Sequence, residues 1–454
     1  MSVYTNLLRS VALPAGSMLA GYRDVMPYLR GLEESQWWSP GEIRTLQDRK
    51  LRRLVSHVYR NVPFYRRWMD EHGVRPKDVR SLDDLHLLPV VDKHVLVANF
   101  PDDMRDHSLP QEQLIQAASS GSTGERLHYW TTKEQKAKKW AGLFRWWELT
   151  GWQFGQPYAT FQLAPNQGLR GVPLLGNLEW LMLRHRWLSA AQMTDAVLAG
   201  YVEQLRRDRP VLFRSYTSTV WYLAEAMLER GLNVAIPAIL TTGETLSDYQ
   251  RETIERAFAP GRVFNEYGGD GMQIACECDR HDGLHINAET HIVEVVRDGQ
   301  PVPDGELGEI VLTNLEATAT PFIRYNIRDV GALDRSPCAC GRGLARLSRL
   351  EGRLTDLFVT ADGHWLTVHQ FTAFFARQVP SVQAFQVVQR AVDDVLIKLV
   401  VDATFSDADR ARIVETFRGY LGDGNSFTLE LVEEIPLTPS GKRRFFISEV
   451  IGRS

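Results

Sequence analysis

Cysteine is scarce in this chain, with four residues in 454, and all four fall in two close pairs, Cys276-x-Cys278 and Cys338-x-Cys340. That scarcity excludes a secreted disulfide scaffold, because such folds are short and cysteine-dense. No stretch approaches the roughly 18 consecutive apolar residues that a membrane-crossing helix needs. The weakly apolar segment from Val11 to Tyr22 is broken by Pro14, Gly16 and Gly21, which also spoils a signal-peptide layout. Charge of either sign is not in excess. Fifty-two basic residues against 56 acidic ones leave a formal net charge of −4, so no nucleic-acid or membrane-surface partner is implied. Internal repeats and low-complexity tracts are missing as well. A cytoplasmic globular protein is expected, and nothing in the sequence sets its oligomeric state, a homodimer included.

A Walker-type phosphate loop is lacking too, since that fingerprint requires Gly-Lys-Ser/Thr at its end. What the chain has instead is Ser119-Ser120-Gly121-Ser122-Thr123-Gly124, followed by Glu125 and Arg126. Glycine lets backbone amides approach an anion closely, and each hydroxyl adds a donor that can follow a phosphate oxygen. The run suits a loop around a nucleotide triphosphate, although Ser/Gly clusters also make plain turns.

Length predicts two unequal domains, because single cores stop growing near ~250–300 residues. Ser39-Pro40-Gly41-Glu42 has capping-box spacing, and Leu51, Leu54, Val55 and Val58 follow on one helical face. Apolar stretches at Val211-Leu212-Phe213, Ala238-Ile239-Leu240 and Arg262-Val263-Phe264 end before polar, glycine-bearing loops and alternate with helical patterns such as Trp221 to Arg230. This alternation reads as a layered α/β domain, whose ligands sit beyond the carboxyl ends of the strands. The character changes near Gly352. Beyond it, Phe385 to Val388, Val395 to Val401 and Phe427 to Val432 read as strands, and Ser406 with Asp409 caps a helix carrying Ile413, Val414, Phe417 and Leu421. The expected fold class is therefore α/β, with a large layered α/β domain over residues 1–352 and a small α+β domain over 353–454.

Five segments occur in a telling order: the Ser/Gly loop, Asn265-Glu266-Tyr267-Gly268, Arg324-Tyr325-Asn326-Ile327-Arg328-Asp329, Gly352-Arg353-Leu354-Thr355-Asp356, and Pro439-Ser440-Gly441-Lys442. Together they resemble the adenylate-forming superfamily of acyl-CoA synthetases, in its phenylacetate-CoA ligase branch with capsule-biosynthesis-like relatives. The resemblance implies an enzyme that joins a carboxylic acid to the α-phosphate of ATP, expels pyrophosphate and passes the acyl group to coenzyme A. An amine or a carrier-protein thiol is the alternative acceptor, and a degenerate nucleotide-binding relative is the non-catalytic alternative. By resemblance, Lys442 is the catalytic lysine bridging the carboxylate and the α-phosphate. Asp329 would accept hydrogen bonds from the ribose hydroxyls, or could instead pair with Arg324 or Arg328. Tyr267 would lie over adenine, and Gly243-Glu244 would line the base. Arg353 opens the crossover to the small domain, which the resemblance implies is mobile, with Thr355 or Asp356 as pivot. Phe161, Trp187, Tyr216 and Trp221 lie where relatives bind the acyl tail, which suggests an aromatic or otherwise apolar acid, although several of them could simply be core.

One departure concerns magnesium. Relatives carry a glutamate shortly after the tyrosine-glycine pair, whereas this chain has Tyr267-Gly268-Gly269-Asp270-Gly271. Asp270 is the first candidate ligand for Mg²⁺ and Glu277 the second. The cysteine pairs suggest a metal site, with buried inert thiols as the plain alternative. Segment 277–285 resembles a zinc signature of some relatives, which makes Cys278, His285, Cys338 and Cys340 the preferred ligands of a structural Zn²⁺. Cys276 or His281 could compete for a place in that set.

Overall fold

In a computed structural model the described residues are 3–15, 25–118, 127–162, 184–189, 195–269, 271–353, 358–359, 365–366, 374–375, 378–379, 381–421, 425–436 and 444–450. The Ser/Gly loop at 119–124, Asp270, Thr355, Asp356 and the Pro439–Lys442 segment lie outside them.

Helix Pro40–Asn61 starts where the sequence places it. The Ser39 hydroxyl accepts from the Glu42 amide at 3.3 Å, and the Glu42 carboxylate accepts from the Ser39 amide at 2.8 Å. Its buried residues Ile43, Leu51, Leu54, Val55 and Val58 join a core with Ile310, Leu312, Ile323 and Tyr325.

That core lies on a twelve-stranded mixed sheet. Across the sheet the order is Gln300–Pro301, His291–Arg297, Gly308–Asn314, Tyr325–Asp334, Arg346–Arg353, Leu284–Ile286, Ala275–Glu277, Arg262–Tyr267, Ala238–Thr242, Leu212–Tyr216, Tyr158–Gln162 and His185–Ser189. The last five run parallel to one another, and the others pair antiparallel. The parallel strands are covered on both faces, as crossover connections require. On one face Phe213, Ile239 and Val263 pack with Val220, Leu223 and Met227 of helix Thr217–Glu229 and Ile254 of helix Asp248–Ala257. On the other, Leu212, Leu240 and Phe264 meet Leu143, Trp146 and Trp147 of helix Lys133–Leu149.

A separate four-stranded sheet follows in the order Ser426–Leu431, Asp394–Val401, Val382–Ala391 and Phe446–Ser448. Helix Asp407–Leu421 lays Ile413, Phe417 and Leu421 into a core with Val387, Val395, Ile397 and Leu399. All three strands expected after Gly352 are present. The strand Phe446–Ser448, which pairs in parallel with Val387–Gln389, is an addition to that expectation.

Candidate active site and thiol–histidine cluster

At the carboxyl end of strand Arg262–Tyr267 the chain turns through Gly268. A side chain there would meet the Met272 carbonyl oxygen at 2.5 Å, so only glycine fits. Tyr267 is buried, and its hydroxyl donates to Asp329 Oδ2 at 2.7 Å. Arg353 faces Asp329 across the ladder between Tyr325–Asp334 and Arg346–Arg353, bringing Nε within 3.1 Å of Asp329 Oδ1. Its Nη1 also donates to the Ile327 carbonyl at 2.9 Å. Three residues from three separate motifs therefore meet in one cluster.

Arg324 and Arg328, the partners considered for Asp329, are engaged elsewhere. Arg324 pairs with Glu294 at 3.0 Å and Arg328 with Asp92 at 3.3 Å. Gly352, at φ +94°, leaves so little room that a Cβ would lie 2.6 Å from Thr245 Oγ1. That approach sets the end of the Arg353 strand against the loop that follows Gly243, itself at φ +75°.

Other expected nucleotide contacts have structural duties. The Glu244 carboxylate accepts from the Ser218 amide at 2.6 Å and from the Ser218 hydroxyl at 3.0 Å, at the first turn of helix Thr217–Glu229. Asn265 is buried, with its Oδ1 accepting from Thr241 Oγ1 at 3.4 Å. Glu266, one position along the strand, faces the opposite side of the sheet from Tyr267 and pairs with Arg214. Glu277, the second magnesium candidate, accepts from Arg251 at 2.7 Å and from the Asn265 amide at 2.9 Å, with His281 alongside. Burial alone would raise its pKa, but His281, Arg251 and that amide hold it below the usual carboxylate value. Both oxygens of this buried carboxylate are thus committed to neighbouring protein groups.

The cysteine-bearing loops converge. Cys278 follows strand Ala275–Glu277, His285 lies on Leu284–Ile286, and Cys338 and Cys340 occupy the connection into Arg346–Arg353. One donor atom from each lies within 4.8 Å of all the others. Cys278 Sγ is 3.9 Å from Cys338 Sγ, and Cys340 Sγ is 3.2 Å from His285 Nε2. His285 Nδ1 lies 3.3 Å from the Leu344 carbonyl oxygen; donation there leaves the Nε2 lone pair directed at the thiols. Burial pushes the His285 pKa down to about 4, keeping the ring neutral as a metal ligand requires. Three sulfurs and an imidazole in a buried cluster fit a closed tetrahedral site for a soft divalent ion. Cys276 is fully buried in the core with Leu240 and Phe264, and His281 is held by Glu277, so neither belongs to this group.

Over 332 residues the chain is 30% identical to the phenylacetate-coenzyme A ligase of Escherichia coli strain K12, covering 71% of this chain and 73% of that one. The chain belongs to the phenylacetate-coenzyme A ligase family. It is also 24% identical over 424 residues to Protein CapK of Staphylococcus aureus, covering 89% of each protein. Residues 358–449 match the family model of the CapK C-terminal domain. Among solved structures, a 2-hydroxyisobutyryl-CoA ligase in its postadenylation state superposes with a TM-score of 0.69 at 22% identity, over 91% of this chain and 90% of that one, showing a shared fold.

In this phenylacetate-coenzyme A ligase family member the four aromatic residues offered for the acyl tail divide into two kinds. Phe161 is fully buried in the core beside Leu188 and Phe213, and Trp221 is buried with Val220 and Leu223. Trp187 and Tyr216 are half-buried on the opposite face of the sheet. Among the described residues no helix is long and apolar enough to cross a membrane.

Proposed function

We propose that this protein is an ATP-dependent carboxylate-activating ligase that forms an acyl-adenylate and transfers the acyl group to coenzyme A. The observation that carries the reading is the meeting of Tyr267, Asp329 and Arg353 at the carboxyl end of the sheet, within a chain of the phenylacetate-coenzyme A ligase family. A carboxylate oxygen attacks the α-phosphorus, and the bond to the β-phosphate breaks as pyrophosphate leaves. The thiol sulfur of coenzyme A then attacks the acyl carbon, losing its proton and displacing AMP.

The residues divide the work by chemistry. Asp329 is an acceptor-only group suited to two ribose hydroxyls, and Arg353 and Tyr267 hold it in place. The Tyr267 ring supplies area for adenine, beside the Gly243-Glu244 loop. Ser119 to Gly124 would wrap the phosphates, and Lys442 would neutralise charge between the two reacting anions. A magnesium ion on the phosphates would take Asp270 as its protein ligand. Zinc held by Cys278, His285, Cys338 and Cys340 would tie two distant loops together and leave no open position for catalysis. Residues 1–352 form the nucleotide- and acyl-binding domain, and residues 353–454 form a small domain that rotates about Thr355 or Asp356 to bring Lys442 in.

Mass spectrometry of reactions containing ATP, magnesium, a panel of carboxylic acids and coenzyme A tests the product. An acyl-CoA is expected. If the adenylate accumulates and only an amine or carrier thiol discharges it, coenzyme A is not the acceptor.

A further inference from the structure

Helix Lys133–Leu149 carries Lys136, Lys139, Leu143 and Trp146 at i, i+3, i+7 and i+10, a single stripe. The lower part of that stripe is core: Leu143 and Trp146 are buried against the face of the sheet that bears Leu212, Leu240 and Phe264. Lysines therefore stand where an apolar stripe would continue. The helix runs opposite to the strands, because Trp147, near its C-terminal end, packs 4.8 Å from Tyr158 at the first residue of its strand. Lys139 lies eight residues before Trp147, roughly 12 Å along the axis. Four residues along a strand span roughly 13 Å, so Lys139 comes level with Tyr216 and Glu266 at the carboxyl ends.

This is the end of the sheet where the ligands of such folds bind. The same face presents Trp187, Arg214 and Tyr216. Arg214 Nε donates to Glu266 Oε1 at 3.0 Å, so that buried carboxylate is committed to Arg214. Lys139 is open to solvent, yet desolvation first, and then Arg214 and Lys136, lower its pKa. The charged groups acting on it are themselves cations, Arg214 and Lys136. Among the described residues, no carboxylate is paired with Lys136 or Lys139, and the buried Trp187 Nε1 has no hydrogen-bond acceptor.

We propose that the acid this enzyme activates carries, on an apolar body, a second anionic group remote from the reacting carboxylate, and that Lys139, with Lys136 beside it, binds that group. The inference rests on the adenylation reading above and sharpens its substrate class. Trp187 and Tyr216 contact the body, and the positive charge of Lys139 and Lys136 selects the second anion.

The test is acid-dependent ATP–pyrophosphate exchange with matched pairs, phenylacetate against 4-carboxyphenylacetate and butyrate against glutarate, using wild type, Lys139→Met and Lys139→Arg. Wild type should prefer the dianion of a pair by about 10-fold or more in kcat/KM, the worth of a charge-assisted hydrogen bond. Lys139→Met should collapse that preference ratio and Lys139→Arg should keep it. Equal use of both acids in each pair, or a ratio untouched by Lys139→Met, overturns the inference while leaving adenylation standing. Absence of exchange with every acid overturns the adenylation reading itself, and the inference with it.

Discussion

Asp329 has both carboxylate oxygens engaged, one by the Tyr267 hydroxyl at 2.7 Å and the other by Arg353 at 3.1 Å. An acceptor held this way is pre-aimed, and a ribose meeting it need not pay for ordering the side chain. Asp329→Asn removes the charge from that acceptor while nearly preserving its shape. The KM for ATP in exchange assays should rise about 10-fold or more, since charge-assisted hydrogen bonds carry roughly 1.5–3 kcal/mol. The KM for the acid should move little. An unchanged KM for ATP would remove Asp329 from the nucleotide site. Asp329 and Tyr267 were legible in the sequence because their motifs stand in a recognisable order. The Arg353 partnership was not, because Arg324 and Arg328 are nearer in sequence and only the strand register sets Arg353 opposite Asp329. Lys139 was missed for a different reason: a lysine on a helix ordinarily reads as solvated. The available signal was its place in the same stripe as Leu143 and Trp146.

At the scale of elements, the capped helix Pro40–Asn61 and the parallel strands were readable from turn chemistry and apolar runs. The antiparallel half of the sheet was not. Strand His291–Arg297 is buried at five of its seven positions and Gly308–Asn314 likewise, so neither shows the alternation that marks a strand with one wet face. The thiol cluster lies within this half. It joins the hairpin bearing Cys278 and His285 to the connection bearing Cys338 and Cys340, elements some 60 residues apart in sequence at Cys278 and Cys338. Cys276 could not be set aside from spacing alone, because two residues along a strand return to the same face. The end of the strand at Glu277 separates it from Cys278. Stripping metal with a chelator should lower the melting temperature, since the binding free energy of a structural metal is folding free energy. Metal analysis of the purified protein together with its melting curve checks this. A metal-free preparation that melts at the same temperature would leave the cluster as inert thiols.

At the scale of the whole molecule, the chain combines a large mixed sheet with a small α+β unit of its own core. The proposed chemistry needs the second to deliver a cation to the first. A lysine that arrives in only one arrangement contributes to the transition state more than to ground-state nucleotide binding. The separate four-stranded sheet was legible as a change of sequence character near Gly352. The close approach of Gly352 to Thr245 was not, because it depends on two segments distant in sequence.

The most direct measurement is ATP–pyrophosphate exchange in the absence of coenzyme A, across a panel of carboxylic acids, for wild type and Lys442→Ala. Exchange that depends on added acid, and that disappears in Lys442→Ala while ATP binding persists, is the expected result. A wild-type protein that binds ATP but exchanges pyrophosphate with no acid, or a Lys442→Ala variant that exchanges at the wild-type rate, would contradict carboxylate activation by this lysine.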